Sequence, residues 1–179
     1  MGQYFTAVLE VNGKPVGYES SNPGYMKLTE HSWWHNGYVN AVAKILFGEP
    51  HRVAWVGDYA CYIAPCTEAI YAAAHRNDTV ELADETEFNP DETFLVNHTK
   101  KLFLDCSKYY AAVQGKSHLG AEWVLHPLPL ITAIGNGEGG GDYFGDNRDL
   151  IGMWAWDELS FEVHVPDGYT EINVPVWYE

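Results

Sequence analysis

The β-forming residues of this chain fall into short runs that end at strong turn signals, and this pattern limits the fold more than any other feature. Residues 4–11 form the first run, Asn12-Gly13 follows at once, and residues 14–18 form the second run. An Asn-Gly pair between two such runs is the strongest short-range signal for a β-hairpin. Further strand-like runs cover residues 52–56, 94–96, 101–105, 109–113, 122–133, 151–156, 160–165 and 170–177. Because Pro127 and Pro129 interrupt the run 122–133, we expect it to be an edge strand or a bent strand.

Helical patterns are fewer than strand patterns. Residues 36–48 have apolar side chains at spacings of three and four, with Asn36 as a helix cap and Gly48 as the stop signal. Residues 67–75 have a helical composition. We therefore predict an α+β fold: one domain over residues 1–179, with a mainly antiparallel β-sheet and two or three helices.

Composition supports a folded chain in a reducing compartment. Of the 179 residues, 46% are hydrophobic and 15% aromatic, which is enough for a substantial core. The N-terminal residues do not have the pattern of a signal peptide, and no apolar run is long enough to span a membrane. An odd number of cysteines, Cys61, Cys66 and Cys106, is typical of free thiols. We therefore expect a cytoplasmic protein.

The glycine-dense segment 135–145 is the most unusual stretch of the sequence. Five of the residues 135–141 are glycine, and such loops can bind phosphate through backbone N–H groups. However, no helical pattern follows, and the lysine of a phosphate-binding loop is missing. The loop also suits a small enzyme or a ligand-binding domain that uses it with Asp58, His126 and Asp142, with or without a divalent metal. No sequence signature of a known reaction accompanies these residues.

His31 and His35 are the candidate metal ligands. Their spacing of four would place both imidazoles on one face if the segment were helical. The glutamate of the metalloprotease signature does not follow His31. Single, packed histidines remain the simpler interpretation, so we predict no metal and no cofactor.

Acidity is the clearest numerical signal. The chain has 25 acidic and 10 basic residues, a net charge of −15, which disfavours direct binding to nucleic acid or to anionic membranes. Residues 78–92 contain seven acids and no lysine or arginine, and residues 136–179 contain ten acids and only Arg148 as a base. Solubility alone can account for such charge. Alternatively, rows of carboxylates could imitate a phosphate backbone and occupy a basic nucleic-acid channel on another protein.

The second explanation is our leading hypothesis for function. It makes the chain a non-enzymatic binding protein whose partner is a protein with a basic nucleic-acid-binding channel. In size and charge the chain is similar to phage-encoded inhibitors of bacterial defence nucleases, including anti-CRISPR proteins, which implies a nuclease as the partner. A structural or assembly subunit, in which exposed aromatic residues at strand edges form an oligomer, is a third alternative. The residues expected to bind the partner are Asp84, Glu85, Glu87, Asp91, Glu92, Glu138, Asp142, Asp146 and Asp149.

Overall fold

The computed structural model describes residues 3–18, 27–60, 70–74, 88–113, 124–136, 143, 146–174 and 177. Within these ranges the strands are β1 (Phe5–Val11), β2 (Lys14–Gly17), β3 (His51–Gly57), β4 (Phe94–Asn97), β5 (Leu102–Asp105), β6 (Ala133–Ile134), β7 (Glu158–Glu162) and β8 (Thr170–Glu171). The helices of the described residues are α1 (Leu28–His31), α2 (Gly37–Gly48), α3 (Ile70–Ala74), α4 (Cys106–Val113) and α5 (Pro127–Ile131). Short 3₁₀ turns cover Pro90–Glu92 and Arg148–Leu150.

The strands form one mixed sheet in the order β2-β1-β3-β7-β4-β5-β8, and β6 also pairs with β3. Only two of the described pairings, β3–β6 and β5–β8, are parallel. The predicted α+β class with a mainly antiparallel sheet is therefore confirmed. No helix in the described ranges is long and apolar enough to cross a membrane.

The first hairpin forms where its turn signal lies. Asn12 and Gly13 have φ angles of 52° and 74°, as a tight hairpin turn requires, and Val11 pairs directly with Lys14. Helix α2 also follows the prediction closely. The Asn36 side chain accepts hydrogen bonds from the backbone N–H groups of Tyr38 (2.9 Å) and Val39 (3.3 Å), so the cap fixes the first turn. The predicted apolar face of α2 is fully buried.

Three predicted strands are wrong. Residues 109–113 belong to α4, because Asp105 caps this helix by accepting hydrogen bonds from the Ser107 hydroxyl (2.6 Å) and the Lys108 N–H (3.0 Å). Residues 127–131 of the predicted bent strand form α5. Its cap is His126, whose Nδ1 accepts a hydrogen bond from the Leu128 N–H (3.1 Å). Pro127 occupies the first helical position, where a backbone N–H would have no partner within the helix, so its missing N–H costs nothing there.

The third error is the segment 151–156, which forms successive turns. Gly152 has a φ of 74°, and a Cβ at this position would lie 2.4 Å from the carbonyl oxygen of Ala133. The backbone N–H groups of Gly152 and Trp154 donate to the carbonyls of Leu130 (2.9 Å) and Ile131 (2.7 Å). The segment therefore pairs with the end of α5 rather than with a strand.

The remaining predicted segments keep their class with shifted bounds. The run 52–56 lengthens to His51–Gly57 and 94–96 to Phe94–Asn97, whereas 101–105 shortens to Leu102–Asp105. Within the described part of 170–177, only Thr170–Glu171 is a strand, and the run 160–165 contributes to Glu158–Glu162. The described part of the predicted helix 67–75 is Ile70–Ala74, and most of the predicted acidic loop 78–92 lies outside the described residues.

Two apolar clusters lie on opposite faces of the sheet. The inner cluster contains Leu9, Trp55, Leu95 and Phe161 from four strands, together with the buried face of α2. The outer cluster contains Val8, Ala54 and Val56 under α3. Because successive side chains of a strand point to opposite faces, this division assigns a face to every strand residue.

A charged network ties the β4–β5 turn to the segment before β7. Asp157 is buried, and its Oδ2 accepts hydrogen bonds from Asn97 Nδ2 (2.8 Å) and from Lys100 Nζ. Lys100 Nζ also donates to the carbonyl oxygen of Met153 (2.8 Å). The buried carboxylate is thus balanced by a cation, as burial of a charge requires.

Candidate functional site

Asp58, the first of the three catalytic candidates, closes the end of the β1–β3 pair. Its Oδ1 accepts a hydrogen bond from the Tyr4 N–H (3.0 Å), and its own N–H donates to the Tyr4 carbonyl (2.9 Å). These two bonds extend the strand pairing by one residue beyond Phe5 and Gly57. The observed role of Asp58 is therefore to hold the N-terminal strand in place.

The start of the glycine-dense segment lies beside Asp58. Strands β3 and β6 run parallel, with Val56 opposite Ile134, so Asp58 and residues 135–136 follow the same ends of adjacent strands. The Asn136 N–H donates to Gln3 Oε1 (3.3 Å). Gln3 is fully buried beside Gly57, where a Cβ would lie 2.3 Å from Gln3 Nε2. A side chain at position 57 would therefore displace the buried Gln3 side chain. Glu138 and Asp142 lie outside the described residues.

His126, the second catalytic candidate, is a fully buried core residue. Its ring stacks on Trp34 with centroids 4.5 Å apart and lies 6.1 Å from the ring of Phe161. Burial, and to a smaller extent the charge of His35, lowers the pKa of His126 to about 3. The imidazole is therefore neutral at physiological pH. Because Nδ1 accepts the hydrogen bond that caps α5, the proton of the neutral ring lies on Nε2.

His31 and His35, the candidate metal ligands, do not share a helix face. Helix α1 ends at His31, and His35 has a left-handed φ of 62°. His31 is fully buried, its Nε2 accepts a hydrogen bond from Trp55 Nε1 (2.8 Å), and burial lowers its pKa to about 4. His35 is half exposed, and its Nε2 lies 3.7 Å from Asp91 Oδ2. Within the described ranges, no three His, Cys, Asp or Glu side chains are grouped as a metal site requires.

The predicted acidic surface divides into exposed and structural carboxylates. Asp91 Oδ1 accepts a hydrogen bond from Trp34 Nε1, so this carboxylate satisfies a buried indole. Glu92, Asp146 and Asp149 are exposed, the first in the turn Pro90–Glu92 and the others in and beside the turn Arg148–Leu150. Asp84, Glu85, Glu87, Glu138 and Asp142 lie outside the described residues.

The sequence interpretation missed a chain of polar side chains on the outer face of the sheet. His98 Nε2 lies 2.7 Å from Ser160 Oγ, and His98 Nδ1 lies 3.0 Å from the hydroxyl of Tyr169. The Ser160 hydroxyl donates to Glu162 Oε1 (2.8 Å). Ser160 is only 1% exposed, and its hydrogen points to a carboxylate, so this arrangement is a buried hydrogen-bond chain rather than an accessible nucleophile.

A pair of phenylalanine rings lies on the same face and was also missed. Phe94 and Phe103 are partly exposed and meet edge to face, with centroids 5.7 Å apart and an interplanar angle of 82°. The strand pattern at residues 94–96 and 101–105 could have shown that each ring faces away from a buried leucine. It could not have shown that the two rings meet.

Beside this pair, a cleft of about 200 Å³ lies between α4 and the chain that follows β8. Lys108 lies in its wall and bridges Glu171 (2.7 Å) and Asp105 (3.5 Å). The hydrogen bond to Glu171, together with the two negative charges, raises the pKa of Lys108. Burial alone would raise the pKa of Asp105, but the hydrogen bonds from Ser107 and the Lys108 N–H outweigh it and hold that pKa below its usual value. The cleft wall thus carries a fixed arrangement of charges.

No protein-family model, curated protein sequence or solved structure matches this chain.

Proposed function

We propose that this chain is a non-enzymatic acidic binding protein that occupies a basic nucleic-acid-binding surface on a partner protein. The partner class we propose is a nuclease of a bacterial defence system, in the manner of an anti-CRISPR inhibitor. The observation that carries the proposal is the exposure of acids in both predicted blocks, at Glu92, Asp146 and Asp149. Over residues 146–174 there are seven acids and one base, so this part of the chain has an excess of six negative charges.

Charge of this kind acts mainly on association. Carboxylates opposite a basic channel accelerate encounter and exclude nucleic acid from the same surface, and salt screens both effects. An inhibitor of this type therefore needs a rigid scaffold and exposed carboxylates rather than a catalytic pocket. The sheet supplies such a scaffold, and the acids at residues 146–149 lie in and next to the turn Arg148–Leu150.

The test is retention of a nucleic-acid enzyme from bacterial lysate on the tagged chain, measured at low and high salt by mass spectrometry. We expect a partner that is retained at low salt, released at high salt, and displaced by duplex DNA. A test variant reverses three exposed acids of the predicted surface: Glu92→Lys, Asp146→Lys and Asp149→Lys. A matched control reverses three acids elsewhere in the chain: Glu10→Lys, Glu30→Lys and Glu49→Lys.

Both variants change the net charge by six. Because the control also removes the pairing of Glu30 with Lys27 and of Glu49 with His51, circular dichroism first establishes that both variants are folded. Loss of the partner with the test variant and retention with the control would support the proposal. Equal retention by the two variants, or retention that does not depend on salt, would contradict it.

A second candidate function, ligand binding at the strand ends, is favoured by the position of Asp58 beside residues 135–136. The ends of adjacent parallel strands are frequent ligand sites in α/β sheets. We expect that, if this function holds, magnesium with a nucleoside triphosphate raises the melting temperature of the wild-type chain. An unchanged melting temperature at millimolar ligand would leave the acidic binding protein as the better proposal.

A further inference from the structure

The half of the sheet formed by β7, β4, β5 and β8 presents its own outer face. Leu95, Leu104 and Phe161 point to the inner cluster. Their neighbours along the strands, Phe94, Phe103 and Ser160, therefore point outward. In the other half of the sheet, the same face is covered by α3. The two phenylalanines belong to neither apolar cluster, although their rings are large enough to contribute to one.

Carboxylates stand on both sides of these rings. Phe94 pairs with Glu162 on β7 and with Asp105 on β5. Phe103 pairs with Glu171 on β8. Directly paired residues of neighbouring strands have their Cβ atoms about 5 Å apart, so each ring lies within side-chain reach of a carboxylate. The result is an aromatic centre with an acidic border.

The charges of this border are not balanced within the face. Lys108 pairs with both Glu171 and Asp105, so one ammonium serves two carboxylates. Glu162 accepts a hydrogen bond from the neutral hydroxyl of Ser160. Among the residues that the structure describes, these three carboxylates and one ammonium leave two negative charges around the ring pair. A partner that covers this face must therefore supply positive charge.

We propose that the outer face around Phe94 and Phe103 contributes to the docking surface for the basic partner, in addition to the exposed acids of the proposed function, and that it binds an arginine side chain. A guanidinium can lie flat on an aromatic ring and at the same time donate two parallel hydrogen bonds to a carboxylate. Phe94 and Glu162 supply these two elements side by side, because they pair directly on β4 and β7, and the ring of Phe103 packs against Phe94. This inference rests on the proposed function, because it names the surface through which the basic partner is recognised.

The test measures binding of a fluorescein-labelled peptide with alternating arginine and alanine, by fluorescence anisotropy at low salt. Glutamate-alanine and lysine-alanine peptides of the same length serve as comparisons. We expect the arginine peptide to bind the wild-type chain more tightly than the lysine peptide, since an ammonium does not stack on a ring as a guanidinium does. The glutamate peptide should not bind.

Three variants locate the contact. Glu162→Gln removes the carboxylate, Phe94→Leu removes the aromatic face but keeps an apolar side chain, and Glu10→Gln removes one carboxylate from β1, away from this face. We expect the first two to weaken binding of the arginine peptide about three-fold or more, and Glu10→Gln to weaken it less than two-fold. Amide chemical-shift changes on the wild-type chain should concentrate in β4, β5 and β7, a readout that does not depend on how well a variant folds.

The outcomes separate the two proposals. If the wild-type chain binds the arginine peptide no better than the glutamate peptide, recognition of a basic partner is itself wrong. If it binds the arginine peptide, but Glu10→Gln weakens binding as much as Glu162→Gln or Phe94→Leu, this face is not a docking surface while the proposed function stands.

Discussion

Acidification should destabilise this protein through two buried histidines. His31 and His126 are fully buried, with pKa values of about 4 and about 3, whereas an unfolded histidine titrates near 6.5. Below pH 6.5 these histidines bind protons in the unfolded chain but not in the folded chain, so the free energy of unfolding falls. Above pH 6.5 both states are neutral at these positions, and the effect vanishes.

The size of the effect follows from the pKa differences. At pH 5.0, about 1.5 pH units below the unfolded value, each histidine costs the folded state about 2 kcal/mol relative to pH 7.5. The two together should lower the free energy of unfolding by about 4 kcal/mol. The loss should continue toward pH 4 for His31 and toward pH 3 for His126, where the folded forms begin to accept protons.

Matched variants separate this effect from the titration of the acids. His126→Asn places an amide oxygen where Nδ1 accepts the Leu128 N–H, and His31→Gln places one where Nε2 accepts the Trp55 indole N–H. Both variants keep the acceptor and lose the titration. Urea unfolding followed by circular dichroism at pH 7.5 and 5.0 gives the difference directly.

We expect each variant to lose about 2 kcal/mol less than the wild-type chain between these two pH values, whatever its stability at pH 7.5. Parallel losses in wild type and variants, within about 0.5 kcal/mol, would refute the reasoning, since they would mean that the buried imidazoles accept protons as readily as unfolded ones.

Four further predictions concern single positions. Gly152→Ala should cost about 2 kcal/mol or more of unfolding free energy in urea, because a Cβ meets a carbonyl oxygen at 2.4 Å and φ is positive. Asn36→Ala should cost about 1 kcal/mol in the same assay, since it removes the α2 cap. Asp157→Ala should cost about 2 kcal/mol, because it leaves the buried amide of Asn97 without its acceptor. Cys106 is fully buried with its pKa raised to about 12, so peptide-level mass spectrometry should show alkylation at pH 8 only after unfolding.

Local signals in the sequence were sufficient for the first hairpin and for α2. Asn12-Gly13 adopts the positive φ angles that few other dipeptides tolerate, and Asn36 caps its helix with its own side chain. In both cases, the residues that determine the structure are adjacent to it in the chain. The fold class followed from these elements and from the alternating runs.

Two strand predictions failed although the aromatic and β-branched residues of 109–113 and 151–156 favour strands. For 109–113, the nearby Asp105 caps a helix that the composition did not indicate. For 151–156, the deciding contact is distant in the chain, because the Gly152 N–H donates to the Leu130 carbonyl (2.9 Å) and fixes a turn. The same limit applies to the catalytic candidates. Nothing in the neighbours of His126 indicates that its ring stacks on Trp34, far away in the sequence.

Sequence by itself determined the charge of the protein and the kind of scaffold that carries it, because composition, turn residues and strand periodicity are properties of short segments. Only the tertiary structure decided which side chains share a surface. Phe94, Phe103, Glu162 and Glu171 come from four strands, and the pairing of β4 with β7 and of β5 with β8 brings them together. Strand order and register depend on how all the inner-face side chains pack at once, and no single segment of the sequence contains that information.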